Sequence, residues 1–311
     1  MNKQEYTQLL GEKSTLERLL QDTPVEDVLD HASLSSRLNE ITQQIGQAQI
    51  DEHEPARAKL TFNGRPVIGS YGIFADFGMK AVNGFTEAVA AVAASLTAPL
   101  AAMGPIPNRN QNQMLITNTA LGSFGFELEE YRDGRLQLDE HSVVELALER
   151  TQNLLQGSIE QDDELLADAA AELDQRALDK VRAFVKTLSE NEAICALQIR
   201  DKAFRFSDIG QVRRSLARIS QDNIREEEKT LSGSFDGTLP TRRTFEFKLS
   251  ESNEVIAGKI GSPVSIPDQI NEHLHQQVNI RVMETRVGEN GRPRYMLLEM
   301  PQWTVSDSRI S

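Results

Sequence analysis

The stretch from Lys229 to Met300 narrows the possible folds more than any other part of the chain. Thr244 to Leu249 alternates cleanly between apolar and polar residues, which is the period of a half-buried strand. Four further stretches have strand character: Lys229 to Leu239, with Gly233 and Gly237 as bends; Val255 to Ile260, with Gly258 as a break; Val278 to Val287; and Arg294 to Met300. Pro267 to Gln276 predicts a short helix, because Pro267 suits a first turn and Ile270 and Leu274 lie four apart. Glu289-Asn-Gly-Arg292 predicts the hairpin between the last two strands. The order βββαββ matches a small OB-like barrel, in which closure removes exposed sheet edges. An SH3-like or Sm-like barrel gives nearly the same order.

The rest of the chain reads as helices with a few strands. Six residues, Leu9, Leu16, Leu20, Leu34, Leu38 and Ile41, recur at helical spacing through two segments near residues 3–22 and 25–49, with Pro24 near the break. This predicts a helical hairpin arm whose apolar seam is the candidate oligomerisation element. Ala58 to Ser70 reads as two strands around Asn63-Gly64, a strong hairpin signal. The Ala-rich segment 75–96 predicts a central buried helix. Met114 to Tyr131 predicts two strands, and Asp133-Gly134 the following turn. Helices are expected over 139–156, capped by Asp139, and over 162–173 and 175–189. A hairpin over 193–206 and a short basic helix over 208–220 follow. The expected fold class is α+β: a helical arm at 1–54, an α/β body at 55–224, the barrel at 225–303 and a tail at 304–311.

Charge limits the partners. The chain carries a formal net charge of −14, which disfavours non-specific binding to nucleic acid or anionic membranes. Residues 225–303 hold ten Lys/Arg against twelve Asp/Glu, so the acidity belongs mostly to the remainder. A single cysteine, Cys195, sits in an apolar run and reads as a small buried hydrophobe in a cytoplasmic protein. The opening residues are polar and amphipathic, unlike a secretory leader. Ala88 to Met103 is too short and too interrupted to span a membrane.

Few residue patterns point to chemistry. The candidate nucleic-acid surface of the barrel consists of Arg242, Arg243, Arg281, Arg286, Arg292, Arg294 and Tyr295, with Phe245 as a further stacking residue. Nearby Glu226 to Glu228, Glu246, Glu251 and Glu254 offset these cations. Asp76, Glu127 and Glu129 are the acids available for metal-dependent hydrolysis. His273 and His275 are two apart, which suits a shared metal poorly on a helix. Gly69-Ser-Tyr-Gly72 lacks the lysine of a phosphate-binding loop, and Ser123 lacks the motif of a nucleophile elbow. No catalytic residue, metal ligand or cofactor is expected.

Three segments carry a family resemblance: Gly-Arg-Pro-Val-Ile-Gly-Ser-Tyr-Gly-Ile at 64–73, Ile-Thr-Asn-Thr-Ala-Leu-Gly-Ser-Phe-Gly-Phe-Glu-Leu-Glu-Glu at 116–130, and Ser-Gly-Ser-Phe-Asp-Gly-Thr-Leu-Pro at 232–240. They resemble a group of bacterial proteins found in mobile, defence-like gene neighbourhoods. The resemblance implies a partner-dependent role and carries over no catalytic residue. The expected function is therefore a non-enzymatic assembly or regulatory subunit in anti-phage defence or a toxin–antitoxin-like complex. It would form a homo-oligomer or part of a multi-protein complex. Nucleic-acid binding through the barrel and metal-dependent hydrolysis are the alternatives.

Overall fold

The computed structural model describes residues 3–24, 27–47, 54–98, 100–101, 103–120, 124–132 and 142–303. The expected tail at 304–311, the Asp133-Gly134 turn, the Asp139 cap, Ser123, His53 and His141 lie outside the described residues. The chain is of mixed α+β construction and divides into two compact units. One comprises residues 1–56 and 131–142, the other residues 57–130 and 143–311.

In the first unit, α1 (Lys3–Asp22) and α2 (Val28–Gln47) pack together as a hairpin. Arg37 of α2 reaches Glu12 of α1 at 2.9 Å. Leu9, Leu16, Leu20, Leu34 and Leu38 are half-buried and Ile41 is fully buried.

The second unit contains both a body and a barrel. Strand β1 (Arg57–Gly64) leads through Arg65-Pro66 into a two-stranded ribbon, β2 (Val67–Ile68) and β3 (Gly72–Ile73). Helix α3 (Ala75–Thr97) follows, then β4 (Met114–Ala120), β5 (Gly125–Glu130), α4 (Val143–Ile159), α5 (Asp163–Ala171), α6 (Gln175–Glu190), β6 (Ala193–Ile199), β7 (Lys202–Arg205) and α7 (Ile209–Arg218). The body sheet has the order β4-β5-β1-β6-β7 and every neighbouring pair is antiparallel.

The hairpin expected at Asn63-Gly64 does not form. β1 pairs with β5 on one side and β6 on the other, which makes it the central strand. Gly64 ends that strand at φ 104°, where a Cβ would lie 2.4 Å from the Glu192 carbonyl oxygen. The glycine therefore serves a close crossing with the chain that opens β6, as well as a positive φ.

One sheet face is apolar. Ala58, Leu60, Phe62, Leu128, Cys195 and Leu197 share it through their registers and are all buried. Phe62 meets Phe77 of α3 edge-to-face at 5.4 Å. Small residues such as Ala81, Ala88 and Ala91 are fully buried on α3 and let α4 and α6 pack closely against it. Aspartates cap three of the helices: Asp162 accepts from the Glu164 N–H, Asp174 from Arg176 and Asp208 from Gln211, each satisfying an orphan donor.

The barrel comprises β8 (Ile224–Leu239), β9 (Thr244–Leu249), β10 (Val255–Ile260), β11 (Gln277–Val287) and β12 (Arg294–Leu297). It is closed, with the order β10-β12-β11-β8-β9. β8 is shared between two walls: residues 224–234 pair with β11 and residues 233–239 with β9. Where the walls meet, a Cβ on Gly233 would lie 2.0 Å from the Lys248 carbonyl oxygen. The segment Pro267–His273 is a 3-10 helix that ends before His275, whose φ is 62°. Phe235, Phe247, Ile256, Val264, Ile270, Ile280, Val282 and Leu297 fill the interior.

Candidate functional site

The barrel surface was the most specific functional expectation, and the structure places each of its residues. Five of the six arginines are engaged within the chain. Arg243, at φ 49°, turns its guanidinium inward and donates to the carbonyl oxygens of Ile260 at 3.1 Å, Val264 at 2.9 Å and Gly261. It fastens the β8–β9 corner to the chain after β10. Arg281 pairs with Glu228 and with Glu299 at 2.9 Å. Arg286 pairs with Glu284. Arg292 lies 3.7 Å from Glu164, and Arg294 pairs with Asp168. Arg242 stands exposed on the turn with no ion-pair partner among the described residues.

Tyr295 and Glu284 face each other across β12 and β11, and burial pushes the phenol above its ordinary pKa. Glu284 is 5 % exposed, yet Arg286 and Lys229, the latter at 3.0 Å, hold its carboxyl below the usual range against its own desolvation. Phe245 is 2 % exposed and stacks edge-to-face on Phe235 inside the barrel, so it offers no surface for a base. The outward positions of β9 and β10 are Thr244, Glu246, Lys248, Val255, Ala257 and Lys259. None is aromatic.

Three barrel cations meet one stripe of α5. Glu164, Asp168 and Glu172 are spaced four apart and face Arg292, Arg294 and Lys259, the last at 2.9 Å. Residues at that spacing fall on one side of a helix. Beneath the ion pairs α5 packs on β11, whose outward-facing Thr285 and Val287 are buried. Sequence reasoning missed this docking line, although the repeating carboxylate at every fourth position was the available signal.

The other candidate groups do not converge. Asp76 lies exposed in the first turn of α3, whereas Glu127 and Glu129 sit on β5, and Glu129 is bound to Arg57 at 2.8 Å. Among the described residues no three His, Cys, Asp or Glu side chains group as a metal site would require. His273 stacks on Trp303 at 4.3 Å, while His275 faces Asp236 at 3.6 Å. Cys195 is 1 % exposed, and burial drives its thiol pKa far upward. Among the described residues no helix is long and apolar enough to cross a membrane.

A polar cleft of about 290 Å³ lies between α3 and the chain leading into β4. Thr86, Glu87, Arg109, Asn110, Asn112 and Gln113 line it. A hydrogen bond from Lys180 at 2.8 Å holds the Glu87 carboxyl below its ordinary pKa, and Arg109 approaches it at 3.5 Å. Two cations thus surround one carboxylate.

Comparison with protein-family models and with curated proteins gives no match.

Proposed function

We propose that this chain is a non-enzymatic bacterial assembly or regulatory subunit that works in the cytoplasm through protein–protein contacts. The observation that supports this reading is the internal engagement of the barrel arginines. A surface that follows phosphates needs free cations beside stacking aromatics. Here five of six arginines are held by the chain's own carboxylates or carbonyls. The barrel is read as OB-like: its third and fifth strands run parallel, its first strand is shared between two walls, and a short helix separates strands three and four. In this setting it serves as a rigid platform. The resemblance of residues 64–73, 116–130 and 232–240 is what supports reading such a subunit as part of anti-phage defence or a toxin–antitoxin-like complex.

The test is recovery of the tagged full-length chain from its native host, with and without nuclease. The proposal expects a species heavier than one chain whose protein composition survives nuclease. A chain recovered alone under both conditions refutes it.

A second reading, single-stranded nucleic acid on the barrel, draws on Arg242, exposed on the β8–β9 turn, and Lys248, exposed near the other end of β9, both without ion-pair partners among the described residues. It expects a salt-sensitive mobility shift that Arg242→Glu abolishes. Arg243→Glu is unsuitable for this test because Arg243 braces the barrel itself.

A further inference from the structure

The two edges of the body sheet are built differently. β7 is four residues long, and its Lys202 and Arg205 are both exposed, with Lys202 also bound to Glu149 at 3.1 Å. Short length and edge cations are the usual guards against pairing with another chain. β4 has neither. It runs seven residues, Met-Leu-Ile-Thr-Asn-Thr-Ala, without a charge or a proline. Leu115, Ile116, Thr117, Asn118 and Thr119 are all exposed, Leu115 at 45 % and Ile116 at 58 %. Ile116 and Thr119 pair with Leu128 and Phe126 and so lie on the apolar side of the sheet. Since β4 ends the sheet among the described residues, one row of its backbone N–H and C=O groups has no ladder partner there. Among the described residues, a register shift between Ile116 and Asn118 is the one feature that blunts this edge.

We infer that β4 is the edge through which two copies of this chain pair, antiparallel, joining their body sheets across a two-fold axis. This deepens the assembly reading above and rests on it. A second copy is the occupant that this uncharged edge admits, because an antiparallel strand edge is complementary to itself across a two-fold axis. The chain is strongly acidic, with a net charge of −14, so most surfaces of two copies repel. β4 is neutral along its whole length, so β4 against β4 brings no charge onto charge. The acids of β5, Glu127, Glu129 and Glu130, would lie three strand spacings from their counterparts. That is about 14 Å, beyond the screening length of about 8 Å at physiological salt. An isologous contact also closes at two copies, whereas β4 against the cationic β7 would run head to tail without closing.

The experiment is sedimentation of the purified full chain over about 1–100 μM, the range in which a standard interface associates. The wild type is expected to approach twice its 34.7 kDa mass. Ile116→Lys with Thr119→Lys should raise the dissociation constant at least about tenfold, because lysines on an edge block pairing. Lys202→Glu on the other edge should leave it unchanged. Leu115→Cys, Thr117→Cys and Thr119→Cys, made singly, read the contact directly: at least one should cross-link to a dimer on mild oxidation, since Cys195 is buried. A wild type that stays monomeric overturns the inference. So does a dimer that survives the double lysine variant and yields no cross-link. In that last case self-assembly, and with it the functional proposal, still stands, carried by another surface such as the exposed Leu10 and Leu29 of the arm.

Discussion

Phe235→Ala should unseat the barrel. Phe235 is fully buried and its ring meets Phe247 at 5.0 Å, Phe245 at 5.8 Å and Trp303 at 6.3 Å. Truncating a buried Phe to Ala typically costs about 3–5 kcal/mol, the lost transfer free energy plus the cavity left behind. The upper half applies here, because three aromatic contacts, each worth about 0.5–1.5 kcal/mol beyond area, are lost together. A loss of about 4 kcal/mol is a large part of the 5–15 kcal/mol that stabilises an ordinary domain. The assay is urea unfolding followed by tryptophan fluorescence. The chain has one tryptophan, Trp303, and it packs on the barrel core, so the signal reports on the barrel itself. With a urea slope of about 1–3 kcal/mol per molar, the midpoint should fall by at least about 1.3 M. Tyr71→Ala, at 90 % exposure, should leave it unchanged. A Phe235→Ala midpoint lowered by less than about 0.3 M would refute the claim that this ring cluster holds the barrel closed.

Three further outcomes are expected. Arg243→Ala should destabilise the barrel by about 2–3 kcal/mol, read on the same fluorescence transition, because three buried carbonyl oxygens lose a charged donor; Arg243→Lys should restore only part, lacking the forked geometry. Burial chiefly, with Asp174 and Asp179 adding, raises the Glu226 carboxyl to about 7, although Arg182 opposes this. A raised carboxyl pKa gives stability that is present below its unfolded value near 4.5 and lost as pH climbs through about 7. Glu226→Gln should therefore flatten the stability profile across that window and raise the melting temperature at pH 8. Cys195 should resist a thiol reagent in the native chain at pH 8 and react on unfolding; fast native labelling would contradict its burial.

Local pattern carried much of this fold. β9 and β10 fall where alternation places them, at 244–249 and 255–260, since one side of each faces the barrel core and the other does not. The helix starts at Asp162, Asp174 and Asp208 follow from the same local chemistry. What failed depended on distant partners. β8 begins at Ile224 because β11 extends to Val287 to pair with it, and the run Glu226 to Glu228 hides that strand from composition. Asn63-Gly64 signals a hairpin locally, but β5 and β6 claim both sides of β1. Nor could local pattern show that Arg292 and Arg294 meet Glu164 and Asp168, more than a hundred positions away.

The carboxylates of α5 have a consequence for how the molecule is put together. The cations that answer them come from distant stretches of sequence, Lys259 on β10 and Arg292 and Arg294 at the start of β12. β10 and β12 become neighbours only through the parallel pairing that shuts the cylinder. Before that, Lys259 has no strand pairing that sets it beside Arg292 and Arg294. The helix therefore works as a gauge: a cylinder zipped one residue out of step would offer its charges at the wrong interval and find no seat.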